Sequence, residues 1–327
     1  MDPVRLLLIS STAVVSLLLL IEWNQYSDSH KKQQSDLYAA AVLETPVTEE
    51  KSSFSAIDEG IPSVSAPVAA LTETRDQAAS FFLNTDTINL AISMDGGDIT
   101  GASLPKFPVR LDTPDQPFRL LENNALRTYV AQTGLIGPDG IDASGDRARY
   151  INQGIDVGAD GSHTLTLAWM GNDPLGLQVF KQITAYDNQY VVDVTFDIRN
   201  NSGQSVDVTS FAQLKRDNSE APDANVGFGV SPYLGAALTQ PEERYTKLAF
   251  SDLQDESFSK NLPAGWVAIL QHYFVSAWIP SQTESHDFFA SRLSNGDNVI
   301  GYKNAGVSID VGDQHTISQR LYVGPKD

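Results

Sequence analysis

Residues 190–198 read Tyr-Val-Val-Asp-Val-Thr-Phe-Asp-Ile, and this alternation constrains the fold more than any other feature of the chain. Tyr190, Val192, Val194, Phe196 and Ile198 share one face of a period-two pattern, with Asp193, Thr195 and Asp197 opposite. Successive side chains of a strand point to opposite sides of a sheet, so the pattern specifies a strand with one face on a core and one in water. It recurs in Ile88, Leu90, Ile92 and Met94, in Leu165, Leu167 and Trp169, and in Val307, Ile309 and Val311. Turn residues separate these runs: Asp95-Gly96-Gly97-Asp98, Asp187-Asn188, Asn295-Gly296 and Gly312-Asp313. Such residues tolerate the positive φ that tight hairpins need. No long 3.6-residue period follows Phe81. Many short strands with turn punctuation predict an all-β domain of antiparallel sheets, a sandwich, over residues 81–327.

The most apolar internal stretch is Gly265–Pro280, GWVAILQHYFVSAWIP. It reads as one core strand covered on both faces. Val267, Ile269, Tyr273, Val275 and Ile279 are expected on one side, and Trp266, Leu270, Phe274 and Trp278 on the other. Trp266, Ile269, Phe274 and Trp278 are its expected packing anchors. Gln271 and His272 at its middle, with many β-branched and aromatic neighbours, argue against a membrane helix.

A membrane helix is expected instead at residues 1–23. Leu6 to Ile21 is an uncharged run of 16 residues, polar only at Ser10, Ser11, Thr12 and Ser16. As a helix it is about 24 Å long. Val4 and Trp23 extend it towards the ~30 Å hydrocarbon core. Leu6, Ile9, Val14, Leu18 and Ile21 would face lipid, Trp23 the interface, and Arg5 would snorkel at the other end. Signal peptides have a shorter apolar core and small residues at the cleavage site. Glu22-Trp23-Asn24-Gln25-Tyr26 is bulky and polar, so the segment reads as an uncleaved anchor. Charge barely decides its orientation, because Arg5 competes with Lys31 and Lys32. Residues 24–80 read as a flexible tether, with only Tyr26, Tyr38 and Phe54 as aromatics and with Pro46, Pro62 and Pro67 spread through it. Such a segment buries too little apolar surface to offset the entropy of ordering.

The chain has 327 residues, a net charge of −19 and no cysteine. The charge argues against nucleic acid as a partner, which needs a basic face. The missing cysteine excludes disulfides, thiolate metal sites and cysteine nucleophiles, so the domain must rely on its apolar core. No catalytic constellation stands out, and neither catalytic, cofactor nor metal residues are expected. There is no phosphate-binding G-x-x-x-x-G-K-[ST] and no G-x-S-x-G elbow, and Gly227-Phe228-Gly229 lacks the third glycine of a dinucleotide loop. His272 reads as a core histidine with one hydrogen bond more readily than as a general base. Asp139, Asp142 and Asp146 lack the spacing of a calcium loop and read as a solvated turn. Glu242, Glu243 and Arg244 read as an exposed charged patch. Asn200-Asn201-Ser202 fits a glycosylation sequon, a pattern of low specificity.

Several segments nevertheless occur in a telling order. The opening MDPVRLLLISS and its apolar run are followed by LNTDTINLAISMDGGDITGASLPKFP (83–108), QPFRLLE (116–122), YVAQTGLIGPDG (129–140), TSFAQLK (209–215), Gly265–Pro280 and LYVGP (321–325). Together these resemble the YidC family of bacterial membrane protein insertases, from its first transmembrane segment through its large periplasmic domain. The resemblance implies one transmembrane helix with a cytoplasmic N-terminus. It implies a periplasmic β-supersandwich similar in fold to galactose mutarotases, and an inner-membrane location. It also implies partners: the lipid bilayer, nascent membrane proteins, and the Sec translocon (SecYEG and SecDF), the last through a region around residues 194–250. The family's groove for nascent helices lies in segments beyond Lys326-Asp327, so no groove residue is carried over. An alternative is a carbohydrate-binding or aldose-epimerase-like module, which needs a histidine paired with a carboxylate. His272 or His286 with a nearby Glu is the only version available.

Overall fold

The computed structural model describes residues 80–110, 112–143, 145–220 and 233–326. The expected anchor residues Leu6, Ile9, Val14, Leu18, Ile21 and Trp23, the tether and Gly227-Phe228-Gly229 lie outside them. Among the described residues no helix is long and apolar enough to cross a membrane.

In chain order the strands are β1 (Ser80–Asn84), β2 (Asn89–Ser93), β3 (Ile99–Pro108), β4 (Pro117–Asn123), β5 (Thr128–Ile136), β6 (Tyr150–Val157) and β7 (Ser162–Trp169). Next come β8 (Leu177–Tyr186), β9 (Val191–Asn200), β10 (Val206–Arg216), β11 (Gly235–Leu238), β12 (Thr246–Ala249) and β13 (Phe258–Pro263). The series ends with β14 (Val267–Leu270), β15 (Phe274–Ile279), β16 (Ser285–Arg292), β17 (Asn298–Lys303), β18 (Val307–Ile309) and β19 (Gln314–Pro325). They form two antiparallel sheets. The ten-stranded sheet runs β1-β2-β3-β4-β5-β10-β17-β16-β13, with β18 beside β10, and the nine-stranded sheet runs β12-β11-β14-β15-β19-β9-β8-β7-β6. One continuous core lies between them, as the alternation predicts. Val192, Val194, Phe196 and Ile198 of β9 are fully buried against residues such as Leu90, Leu120 and Leu214 of the other sheet. Trp278 is buried in this interface, and its indole Nε1 donates to the Gln213 carbonyl across it at 3.0 Å.

Several readings of the sequence change. Gly265–Pro280 is not one strand. It is a hairpin of β14 and β15 closed by Gln271, His272 and Tyr273, with Val267 opposite Trp278 and Leu270 opposite Val275. That register pairs odd with even positions, so Ile269, Phe274 and Trp278 share the core while Trp266, Leu270 and Val275 pack on the outer face. Trp266 precedes β14 and is half-buried. The run is apolar on both parities because the chain reverses within it. Val311 is the second change. It is exposed, because β18 stops at Ile309 and the chain turns through Gly312 at φ +85.

The Asp139–Asp146 loop is not a solvated turn throughout. Asp142 is buried and accepts the Leu135 and Ala148 amides at 2.9 and 3.0 Å and Arg147 at 2.8 Å. Arg147 also donates to Asp98 at 2.5 Å and to the Thr133 carbonyl at 2.8 Å. Burial disfavours the guanidinium, but Asp98 and Asp142 outweigh it and raise its pKa. Lys181 of β8 completes the cluster, donating to the Gly96 and Thr133 carbonyls at 2.8 and 3.2 Å. The network ties β8 of one sheet to β5 of the other. It also explains the glycines of the Asp95–Asp98 turn. Gly96 and Gly97 have φ of +75 and +58, and a Cβ at Gly96 would come within 2.5 Å of the Arg147 guanidinium.

Candidate functional site

The outer face of the nine-stranded sheet differs from one side to the other. Over β9 and β19 it is polar, with Thr316 donating to Asp197 at 2.7 Å and Arg320 paired with Asp193 at 2.8 Å. Over β11, β14 and β15 it is apolar. Ala237 lies opposite Ala268, Ala268 opposite Ala277, and Ala277 opposite Tyr322 of β19. These small side chains form a low strip between aromatic shoulders, with Tyr233, Trp266, Val275 and Tyr322 packed against it. Gly235 has a specific part here. A Cβ there would meet the Tyr233 hydroxyl at 2.5 Å, so glycine lets that ring lie over the strand and donate to the Ala236 carbonyl at 2.8 Å.

Beside the strip is a cleft of about 330 Å³ lined by Tyr233, Tyr245, Lys247, Leu270, Gln271, His272 and Lys326. The Lys247 ammonium stands 4.6 Å from the Tyr233 ring and 5.7 Å from that of Tyr245, within cation–π range. Tyr245 in turn lies 6.2 Å from Trp266. Burial pushes the Tyr233 hydroxyl up to about 12, so it stays a hydrogen-bond donor at neutral pH. The His272 ring stacks on Tyr273 at 3.9 Å, and its buried Nδ1 has no partner among the described residues. Gln271 is closed to solvent, and neither its Oε1 nor its Nε2 has a partner among the described residues. An unpaired buried amide costs on the order of 1–3 kcal/mol. The cleft thus combines aromatic faces, a lysine ammonium and a buried side-chain amide in one place.

Neither of the two histidines weighed for acid–base work has a carboxylate partner among the described residues. His272 closes the β14–β15 hairpin, so it is not the core-strand histidine expected from sequence. His286 is buried, with Nδ1 2.8 Å from the Asn304 amide oxygen and Nε2 2.8 Å from the Ser281 carbonyl. Neither contacts a Glu. Asn200 of the sequon is fully buried and donates to the Gln204 and Ile309 carbonyls at 2.8 Å, so it is a turn residue inaccessible to glycosylation. Glu242, Glu243 and Arg244 are exposed, as expected. Among the described residues no group of three or more His, Asp or Glu could hold a metal ion. Of the expected anchors of Gly265–Pro280, the structure brings only Trp266 to the candidate site, at its edge. Tyr233, Tyr245 and Lys247 were missed because they reach the β14–β15 turn only through the β14–β11–β12 pairing, and Lys326 because it arrives from β19, its amide donating to the Tyr273 carbonyl at 2.8 Å.

Residues 81–327 match the family model of the YidC periplasmic domain. Membrane protein insertases YidC of Pseudomonas putida and of Azotobacter vinelandii are each 36% identical to the chain over its whole length and 59% of theirs. The chain thus spans about three-fifths of the length of the curated relatives it matches. Among solved structures it is similar to a galactose mutarotase-related enzyme from Lactobacillus acidophilus, at 9% identity and a TM-score of 0.49 over 75% of this chain and 97% of that one. A galactose mutarotase-like protein from Lactobacillus casei gives 8% and 0.49 over 76% and 100%. Likeness at that level says nothing about chemistry. The match of residues 81–327, with 36% identity to insertases along the full chain, establishes that this chain belongs to the YidC family.

Proposed function

We propose that the chain is the anchoring and docking part of a membrane protein insertase, with a β-supersandwich in the periplasm that holds extended segments of its substrates. Residues 1–23 span the inner membrane with the N-terminus in the cytoplasm, and residues 24–80 tether the sandwich outside the bilayer. The work is non-catalytic. An insertase lowers the cost of moving polar segments through lipid, where each charged side chain costs a few kcal/mol or more. A domain beside the exit helps by keeping an emerging segment extended and away from aggregation. The surface over residues 194–250 also docks the Sec translocon, through SecDF. The observation that carries the reading is the aromatic cleft beside β14, floored by the unpaired Gln271 amide.

A photoreactive amino acid at Tyr245, in the membrane-embedded chain, tests this with a ribosome-stalled membrane protein of defined sequence. A cross-link to that nascent chain, absent when the probe replaces Asp115 on the far sheet, is the expected result. Equal labelling from both positions refutes the cleft.

A further inference from the structure

We infer that the cleft beside β14 selects extended peptide segments carrying a carboxylate. This rests on the docking reading above and narrows it. The argument is from charge. The chain as a whole carries −19, so its average surface repels acidic peptides. The cleft is an exception. Its lining contains Lys247, Lys326 and His272 and no Asp or Glu. The Lys247 ammonium makes no ion pair among the described residues and is held instead over the Tyr233 and Tyr245 rings. Held in this way, it has its charge placed before a ligand arrives, which lowers the ordering cost of forming a charge-assisted bond. Asp252 acts on the Tyr233 hydroxyl and lies outside the lining.

The second observation is the floor. Gln271 presents one donor and one acceptor, both unpaired, which matches the acceptor and donor of a peptide group. Because Gln271 is closed to solvent, a segment reaches it by displacing the Tyr245 ring, which is exposed enough to move, while Lys247 stays over Tyr233. The Tyr233 and Tyr245 rings of the lining then offer apolar faces to a side chain of the same segment. The expected ligand is an extended stretch with an aromatic or aliphatic residue close to an Asp or Glu. A surface recognising only an apolar chain has no use for an unpaired lysine at its rim.

The test uses the full chain in detergent micelles and two fluorescent eight-residue peptides. They share their apolar residues and differ only in two Asp or two Lys. Anisotropy should show the acidic peptide binding at least about 10-fold tighter at low salt, with the difference shrinking as salt screens it. Lys247→Glu should abolish or invert the preference and Lys247→Arg retain it. Near-ultraviolet circular dichroism checks that both variants keep their tertiary packing. Equal affinity for the two peptides, lowered for both by Tyr245→Ala, overturns the charge preference and leaves the docking reading standing. No binding of either peptide overturns both.

Discussion

Lys181 carries its ammonium between two backbone carbonyls in a space closed to water, and its consequences belong to the single-residue scale. Burial pushes its pKa down to about 7, against the pull of Asp98 and Asp142 and with the push of Arg147. Free in the unfolded chain it titrates near 10.5. Between these values the unfolded state holds a proton that the folded state lacks, so stability rises with pH across that window. The contribution is at its minimum below pH 7, grows by at most about 1.4 kcal/mol per pH unit, and levels off above the unfolded value. Urea midpoints of the full chain from pH 7.5 to 9 should therefore climb, and Lys181→Met should flatten the climb. Trp278 gives a pH-independent counterpart. It fills the interface between the sheets, and Trp278→Ala should cost about 3–5 kcal/mol in the same assay. Gln271→Leu should do the reverse. Removing a buried unpaired amide should stabilise the free chain by about 1–2 kcal/mol while weakening peptide binding at the cleft.

At the scale of elements, the Asp95–Asp98 turn shows how one loop serves two sheets. Gly96 needs its positive φ and the space taken by Arg147, so Gly96→Ala combines about 1–2 kcal/mol of backbone strain with a displaced guanidinium. The expected melting-temperature loss is larger than for Gly312→Ala, where φ is also positive but nothing stands within 4 Å of the new methyl group. Both glycines announce themselves in the sequence, and so does β9, because alternation over nine residues has one physical reading. The β14–β15 hairpin does not. Gln271-His272-Tyr273 contains no Gly, Asn, Asp or Pro, and the apolar run continues across it, so nothing local marks the reversal. Its register follows from the partners β11 and β19, which are distant in the sequence. Asp142 was misread for a related reason. Its burial depends on Arg147 and on Asp98, which meets that arginine from another strand connection, and an acidic loop alone carries no sign of such partners. The cleft was illegible because its rim is assembled from the approach to β11, the start of β12, the β14–β15 turn and the residue after β19.

At the scale of the whole molecule, the proposed membrane anchor, tether and binding face can each fail separately. Protein extracted from membranes is expected to retain residues 2–23, because the region after Ile21 lacks the small residues of a cleavage site. N-terminal sequencing that begins between Asn24 and His30 would remove the anchor. The central claim is that substrate segments are held on the outer face of the nine-stranded sheet, at β11, β12 and the β14–β15 hairpin. Hydrogen–deuterium exchange of the full chain, with and without a saturating acidic apolar peptide, locates the bound segment directly. The account predicts slowed exchange in residues 233–249 and 266–275 and unchanged exchange in β1 and β2. Protection confined to the ten-stranded sheet, or none anywhere at saturation, would contradict it.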